Sequence, residues 1–271
     1  MISTSTSQRK PVSRAELSLP ESILAFLGEA PLYESSGASG ARTLFVMRDG
    51  GMFLKIAPAG SLARTAQMQD YFHAKGFSSA LVQYCPADGA AYNSDYMLVA
   101  ALPGADGIHE KHLTQPERLS AVFGQSLRAL HSANGADCPV PNKMEELLTA
   151  ACTSGFRQYH LDDIAPFIGA ASAQTAAAEI AAARTLLQND VLLHGDYCLP
   201  NIMLENWTLS GFIDCGDSGL GDRHYDLAWG LWTLRYNLKD PACGEIFLDA
   251  YGRDAIDRDR LRLCGLLAAL D

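Results

Sequence analysis

The feature that most constrains this chain is the order of three polar side chains late in the sequence. His194-Gly195-Asp196 is followed five residues later by Asn201, and thirteen residues after that by Asp214-Cys215-Gly216. Between them lie two short apolar runs, 202–204 and 211–213, flanking a connection that opens with Glu205-Asn206. Runs of that length joined by a turn predict a β-hairpin. The hairpin makes Asn201 its entry and Asp214 its exit, so the backbone fixes two hard oxygen donors at strand ends. Mg²⁺ favours a few such donors completed by water and phosphate oxygens. Asp196 is then a third oxygen group, placed to orient and deprotonate a hydroxyl.

A lysine completes the pattern upstream. Residues 43–47 and 52–56 are apolar runs joined through Asp49-Gly50-Gly51, a second hairpin signal, and Lys55 sits inside the second run. An isolated strand Lys usually only reaches solvent. Here its order relative to Asp196, Asn201 and Asp214 matches a strand Lys that contacts phosphates, an Asp facing the attacking hydroxyl, and an Asn and Asp that hold metal. The loop Gly37-Ala38-Ser39-Gly40-Ala41 precedes the hairpin. Its small residues let backbone N–H groups approach a phosphate, although Gly/Ser runs are also ordinary loops. The constellation predicts a phosphotransferase.

Further elements follow from periodicity. A helix is expected to end at Gly76, with strands over 80–84 and 96–101. Pro103-Gly104 then breaks the chain. The first hundred residues therefore read as a small sheet with one helix, and the remainder as mainly helical. Residues 116–131 carry Leu119, Val122, Leu127 and Leu130 at helical spacing. Residues 170–187 are Ala-rich, and helices are expected over 225–237, 244–251 and 258–270. Asp222, Arg223 and Asp226 open one of these helices. Their carboxylates suit the helix dipole, or brace the loop that carries Asp196. His194 reads as a buttress of that turn.

Composition narrows the rest. The chain has 271 residues, a formal charge of −10 and 48% hydrophobic residues. This suffices for two lobes and a sizeable core. No Lys/Arg stripe exists to neutralise a nucleic acid backbone. The apolar runs are too short to span a bilayer, and residues 1–13 lack the apolar region of a signal peptide. Seven scattered cysteines, an odd number without metal-ligand spacing, suit reduced thiols in a cytoplasm.

Residues 191–204 and 210–228 resemble the aminoglycoside phosphotransferases, most closely the aminoglycoside 3'-phosphotransferases, with the similarity running from about residue 21 onward. The resemblance implies an α+β, protein-kinase-like bilobal fold. Residues 1–20 would be a loose tail, 21–102 the nucleotide-binding lobe and 103–271 the helical catalytic lobe. It implies transfer of the γ-phosphoryl of ATP, with GTP as the alternative and Mg²⁺ as cofactor, to a hydroxyl of an aminoglycoside antibiotic. Asp196 would be catalytic, and Asn201 and Asp214 metal ligands. Lys55, Gly37 and Ser39 would meet the phosphates, and Ala100 C=O and Leu102 N–H the adenine. A monomer or weak dimer in the cytoplasm is expected, without nucleic acid or membrane partners.

The chain departs from the family at three places. Thr65 stands where a helix Glu would pair with the strand Lys, unless Asp70 or another acid substitutes. Asp217 replaces an Arg. Positions of the acids that bind ammonium groups align with Leu231, Trp232, Arg235, Ala268 and Ala269, leaving Asp162, Asp163, Asp217 and Asp271 as the remaining substrate-side acids. A kinase of another hydroxylated metabolite or antibiotic, and a nucleotide-binding pseudokinase, are the alternatives.

Overall fold

The computed structural model describes residues 9–35, 40–48, 50–153, 169 and 172–269. The chain forms two compact units. The first comprises residues 1–106 with 203–206 and 210–216, and the second the remaining segments.

The first unit is built on a six-stranded antiparallel sheet in the order β1-β2-β3-β4-β6-β5. The strands are β1 (Pro11–Val12), β2 (Leu32–Ser35), β3 (Arg42–Val46), β4 (Met52–Pro58), β5 (Leu81–Cys85) and β6 (Ser94–Ala100). Side chains alternate across a strand, so adjacent residues serve opposite faces. Leu44, Val46, Leu54, Tyr96 and Leu98 pack with Ile23 and Leu27 of helix α1 (Glu21–Leu27). Phe45, Phe53, Ala57, Met97 and Val99 pack with Leu62 and Ala66, the latter in helix α2 (Ala63–Ala74). Both faces are covered, which explains why β4 reads as a nearly continuous apolar run. Lys55 shares the face of Phe53 and Ala57. It stands opposite Thr43 on β3 and Met97 on β6.

The structure corrects two expectations here. The N-terminal region holds two helices rather than one. From Arg9 on, the segment expected to be loose is tied down. Pro11 and Val12 pair with Tyr33 and Leu32, and Leu19 is buried. The Arg14 guanidinium donates to the carbonyls of Gly28 and Ala30. Backbone pairing and one cation serving two carbonyls outweigh the polar composition of this stretch.

The hairpin of β9 (Ile202–Glu205) and β10 (Thr208–Phe212) turns through Asn206 and Trp207, both at positive φ. Two such residues define the turn whose twist matches a hairpin. β7 (Ala105–Asp106) pairs along β9. β8 (Val191–Leu193) pairs antiparallel with β11 (Gly219–Gly221).

In the second unit, helices α3 (Glu110–Leu113), α4 (Pro116–His131), α5 (Lys143–Thr153) and α6 (Ala173–Ala183) precede α7 (Arg223–Leu238), α8 (Pro241–Tyr251) and α9 (Arg258–Ala268). α4 lies along α8. Gly124 makes this approach possible, because a Cβ there would collide with the Phe247 carbonyl. α9 packs on α7 and contributes Leu263, Leu266 and Leu267 to a core shared with Met144, Ile180 and Tyr225. Fully burying each such leucine stabilises by about 1.5–3 kcal/mol.

Candidate active site

The loop from His194 to Asn201 leaves β8 in the second unit and is anchored mainly through its backbone. Asp226, fully buried on the first turn of α7, accepts from His194 N–H (2.7 Å) and Gly195 N–H (2.9 Å). The Ser218 hydroxyl donates to the His194 carbonyl (2.9 Å). Leu199 N–H donates to the Thr233 hydroxyl (3.2 Å). Tyr197 stacks on Phe123 with centroids 4.3 Å apart and donates its hydroxyl to the Phe123 carbonyl. Gly195 sits at φ +87°, and any Cβ there would strike the Asp217 carbonyl. Only glycine allows that approach.

Within this frame Asp196 is half-buried. Its N–H donates to His194 Nδ1 (3.3 Å), so His194 buttresses the turn. Asn201 Nδ2 donates to the Asp196 carbonyl (2.9 Å) and to its Oδ2 (2.8 Å). The amide nitrogen is thereby committed, and the amide oxygen is left for another partner. Asn201 thus has the donor orientation a metal ligand needs.

Asp226 is itself held. His131 Nε2 lies 3.2 Å from Asp226 Oδ2, and His131 Nδ1 lies 2.9 Å from the Tyr251 hydroxyl. Burial lowers the His131 pKa, although the Asp226 carboxylate acts in the opposite sense. Neutral imidazole can donate to Asp226 and accept from Tyr251. Asp222, the cap of α7, is equally deep. It accepts from His224 N–H, Gln188 N–H and the Arg260 guanidinium. Burial alone would raise its pKa, but the hydrogen bonds and charge of His224, with the Arg260 bond, outweigh burial and hold it below the usual aspartate value.

The first unit carries the other polar group. Lys55 forms an ion pair with Asp214 that is partly exposed. Asp214 follows β10 and sits at φ +59°, in the left-handed region that a non-glycine residue adopts at a cost. Thr65 packs on the same turn, its hydroxyl against Gly216. Lys55 therefore finds its carboxylate in Asp214 rather than on α2, where Asp70 is exposed. Burial pushes the Cys215 thiol up to about 12, so it stays protonated beside Asp214. Burial, followed by the Asp196 charge, likewise raises the Cys198 thiol well above its ordinary value. Neither thiol is a nucleophile.

At the end of β6, Ala100 N–H donates to the Ala80 carbonyl (3.0 Å) and Ala101 N–H to the Gly51 carbonyl (2.9 Å). The Leu102 N–H makes no hydrogen bond among the described residues. Asp217 is exposed, 3.8 Å from the Lys143 ammonium. Gly37, Ser39, Asp162, Asp163 and Asp271 lie outside the described residues. Of the positions aligned with ammonium-binding acids, Leu231, Ala268 and Ala269 are buried. They pack the core instead of lining a substrate pocket.

Residues 35–264 match the model of the APH phosphotransferase enzyme family. The chain is also 38% identical, over 91% of its length and 92% of the relative's, to a probable aminoglycoside 3'-phosphotransferase of Lactococcus lactis subsp. lactis. The chain belongs to the APH phosphotransferase family. It is 29% identical to an aminoglycoside 3'-phosphotransferase of Niallia circulans over 90% of this chain and 94% of that one. Its fold is that of the crystal structure of aminoglycoside-3'-phosphotransferase of type VIII, with TM-score 0.70 and 21% identity over 92% of this chain and 97% of that chain. A second neighbour is an aminoglycoside phosphotransferase, APH(4)-Ia, solved as a ternary complex with ADP and hygromycin B (TM-score 0.66, 16% identity, 93% of this chain, 88% of that chain).

This APH enzyme thus has the α+β fold of its family and is a phosphotransferase. No helix among the described residues is long and apolar enough to cross a membrane. Of the groups that hold the Asp196 loop, the sequence points to Asp226 and His194. His131, Ser218, Thr233 and Tyr251 carry no signal of spacing or composition, because their partners lie far along the chain.

Proposed function

We propose that this enzyme transfers the γ-phosphoryl group of ATP to a hydroxyl of an aminoglycoside-type acceptor, and that it thereby inactivates an antibiotic. The observation that carries the reading is the Asp196–Asn201 pair. One half-buried carboxylate is oriented by an amide, in a loop fixed by Asp226, Ser218 and Thr233. Asp196 orients the acceptor hydroxyl and accepts its proton as the phosphoryl group departs. Lys55 meets the nucleotide phosphates, together with the loop containing Gly37 and Ser39. Ala100 C=O and Leu102 N–H meet the base.

The donor set fits Mg²⁺. Among the described residues no three His, Cys, Asp or Glu side chains form a self-sufficient cage. Asp214 and Asn201 offer hard oxygens, and Mg²⁺ takes one or two protein ligands with phosphate and water. When bound, the ion neutralises phosphate charge. Residues 21–102 serve as the nucleotide lobe and 103–271 as the catalytic lobe, in a cytoplasmic monomer or weak dimer. Asp162, Asp163, Asp217 and Asp271 are the acids left to meet ammonium groups.

A second reading keeps the chemistry and changes the acceptor to another hydroxylated metabolite or antibiotic. The burial of Leu231, Ala268 and Ala269 favours it, since a pocket for several ammonium groups needs carboxylates. Acceptor-dependent ADP release, with and without Mg²⁺, tests both. Release with kanamycin supports the first reading. Release only with less cationic acceptors supports the second, and none with any hydroxylated acceptor refutes both.

A further inference from the structure

The sheet of the first unit carries a cross-strand row of apolar, mainly aromatic side chains. Tyr33 of β2 stands opposite Phe45 of β3, Phe45 opposite Phe53 of β4, and Phe53 opposite Val99 of β6. Alternation along β4 puts Phe53 and Lys55 on one face, so the row runs beside Lys55. Its last member, Val99, immediately precedes Ala100. The Phe45 and Phe53 ring centroids are 5.4 Å apart. A Cβ on Gly51 would meet both the Phe45 ring and the Ala101 side chain. The row therefore adjoins the segment, Ala100 to Leu102, assigned above to the nucleotide base.

Arg9 lies over the middle of this row. Its guanidinium carbon is 4.7 Å from the Phe45 centroid and 5.7 Å from that of Phe53. The backbone holds it there. Glu34 N–H donates to the Lys10 carbonyl (2.8 Å), and Pro11 stands opposite Tyr33. The Arg9 side chain is half-buried, and burial lowers its pKa from the ordinary arginine value. An arginine stays charged all the same. Beneath it Phe45 is 3% and Phe53 9% exposed. A guanidinium and a nucleobase are both planar groups that stack on aromatic faces. They cannot occupy one ring face together. All of these residues belong to the first unit.

We propose that Arg9 occupies the base-stacking surface of the nucleotide subsite, and that a purine nucleotide displaces it on binding. The proposal rests on the nucleotide reading above and adds to it a residue outside the phosphate and metal motifs. Stacking of a base on an aromatic side chain is at least as strong as a cation on the same ring. The purine can therefore take the place of the guanidinium, and it loses affinity in the exchange. Arg9 thereby sets how tightly the nucleotide is held.

The test uses the full-length protein. Mg-ATP and adenosine are titrated by calorimetry into wild type, Arg9→Ala and Arg9→Lys, and acceptor-dependent ADP release is followed in parallel. Removing the guanidinium from the rings should tighten both ligands by the same factor, between about twofold and thirtyfold. Arg9→Lys keeps a cation but not the planar stacking group, so its affinities should fall between the other two. Equal affinities in wild type and Arg9→Ala overturn the proposal. Weaker Mg-ATP binding in Arg9→Ala with adenosine unchanged also overturns it, and assigns Arg9 to the phosphates. Adenosine tightened by Arg9→Ala, with no ADP release from any acceptor, supports the displaced ring face and overturns the phosphotransfer reading instead. Failure of every form to bind either ligand overturns both.

Discussion

The Asp196 loop and the Lys55–Asp214 pair carry complementary chemistry and are held in opposite ways. The loop rests on fully buried Asp226, which serves two backbone N–H groups and His131, with Ser218 and Thr233 adding further bonds. Its geometry exists before any ligand arrives. The Lys55–Asp214 pair is partly open to solvent and leans on a backbone at positive φ. On the proposed reading, Lys55 exchanges Asp214 for a phosphate and Asp214 exchanges Lys55 for a cation. The anchors of the Asp196 loop are buried, whereas both members of the Lys55–Asp214 pair are partly accessible. The comparison predicts that changes near the loop cost stability or rate, and changes near the pair cost nucleotide affinity.

The largest effect is expected at Asp196. Asp196→Ala should lower turnover by about two to four decades, the scale of a positioned acid or base. Thermal stability should stay close to wild type. Steady-state ADP release from purified variant checks this, and unchanged turnover would remove Asp196 from the mechanism.

Asp226→Ala should come next, read as stability. It strands two buried N–H donors and the His131 ring. An unsatisfied buried group costs about 1–3 kcal/mol, so a loss of at least about 3 kcal/mol in urea unfolding is expected. A loss below about 1 kcal/mol would mean that the loop is anchored elsewhere.

Acid should weaken the same region in two stages. The folded His131 pKa lies below its unfolded value, near 6.5, because burial disfavours the cation. The unfolded chain then binds the extra proton, and stability falls as pH drops below about 6.5. Asp222 is also held below its unfolded value, near 3.9, and its contribution is lost as pH falls from there through the folded pKa. Unfolding free energy measured from pH 8 to pH 3 should show both declines. His131→Asn should remove the first, and an identical profile in that variant would assign the decline to other groups.

The smallest effect belongs to the exposed pair. Thr65 stands against the turn that carries Asp214. Thr65→Glu gives Lys55 a second carboxylate and should raise ATP affinity by up to about tenfold, since a partly exposed pair is worth about 1 kcal/mol. A neutral or harmful outcome in nucleotide titration would show that Asp214 alone suffices.

Legibility in the sequence tracked the range of the interactions. The β3–β4 hairpin was readable from apolar runs around a Gly-Gly turn, and α4 from its Leu spacing; the structure gives Pro116–His131 for that helix. β8 and β11 were not. Gly219-Leu220-Gly221 has no strand signature and becomes a strand only by pairing with residues 191–193. The proposed roles of Asp196, Asn201, Asp214 and Lys55 rest on their order along the chain; the Asp196–Asn201 and Lys55–Asp214 contacts themselves were not legible in it. His131 was silent, since its partners Asp226 and Tyr251 lie 95 and 120 residues away. The alignment of Leu231, Ala268 and Ala269 with pocket positions gave no warning that they pack inward, because burial is settled by tertiary contacts.

The division of labour between the two regions is tested most directly by one paired measurement. Mg-ATP affinity and single-turnover phosphoryl transfer are determined side by side for Asp196→Ala and Asp214→Ala. The account predicts that Asp196→Ala keeps nucleotide affinity near wild type and loses transfer, while Asp214→Ala loses the Mg²⁺ dependence of nucleotide binding. Equal Mg-ATP affinity in Asp214→Ala and wild type, or an Asp196→Ala protein that loses nucleotide and transfer together, would contradict it.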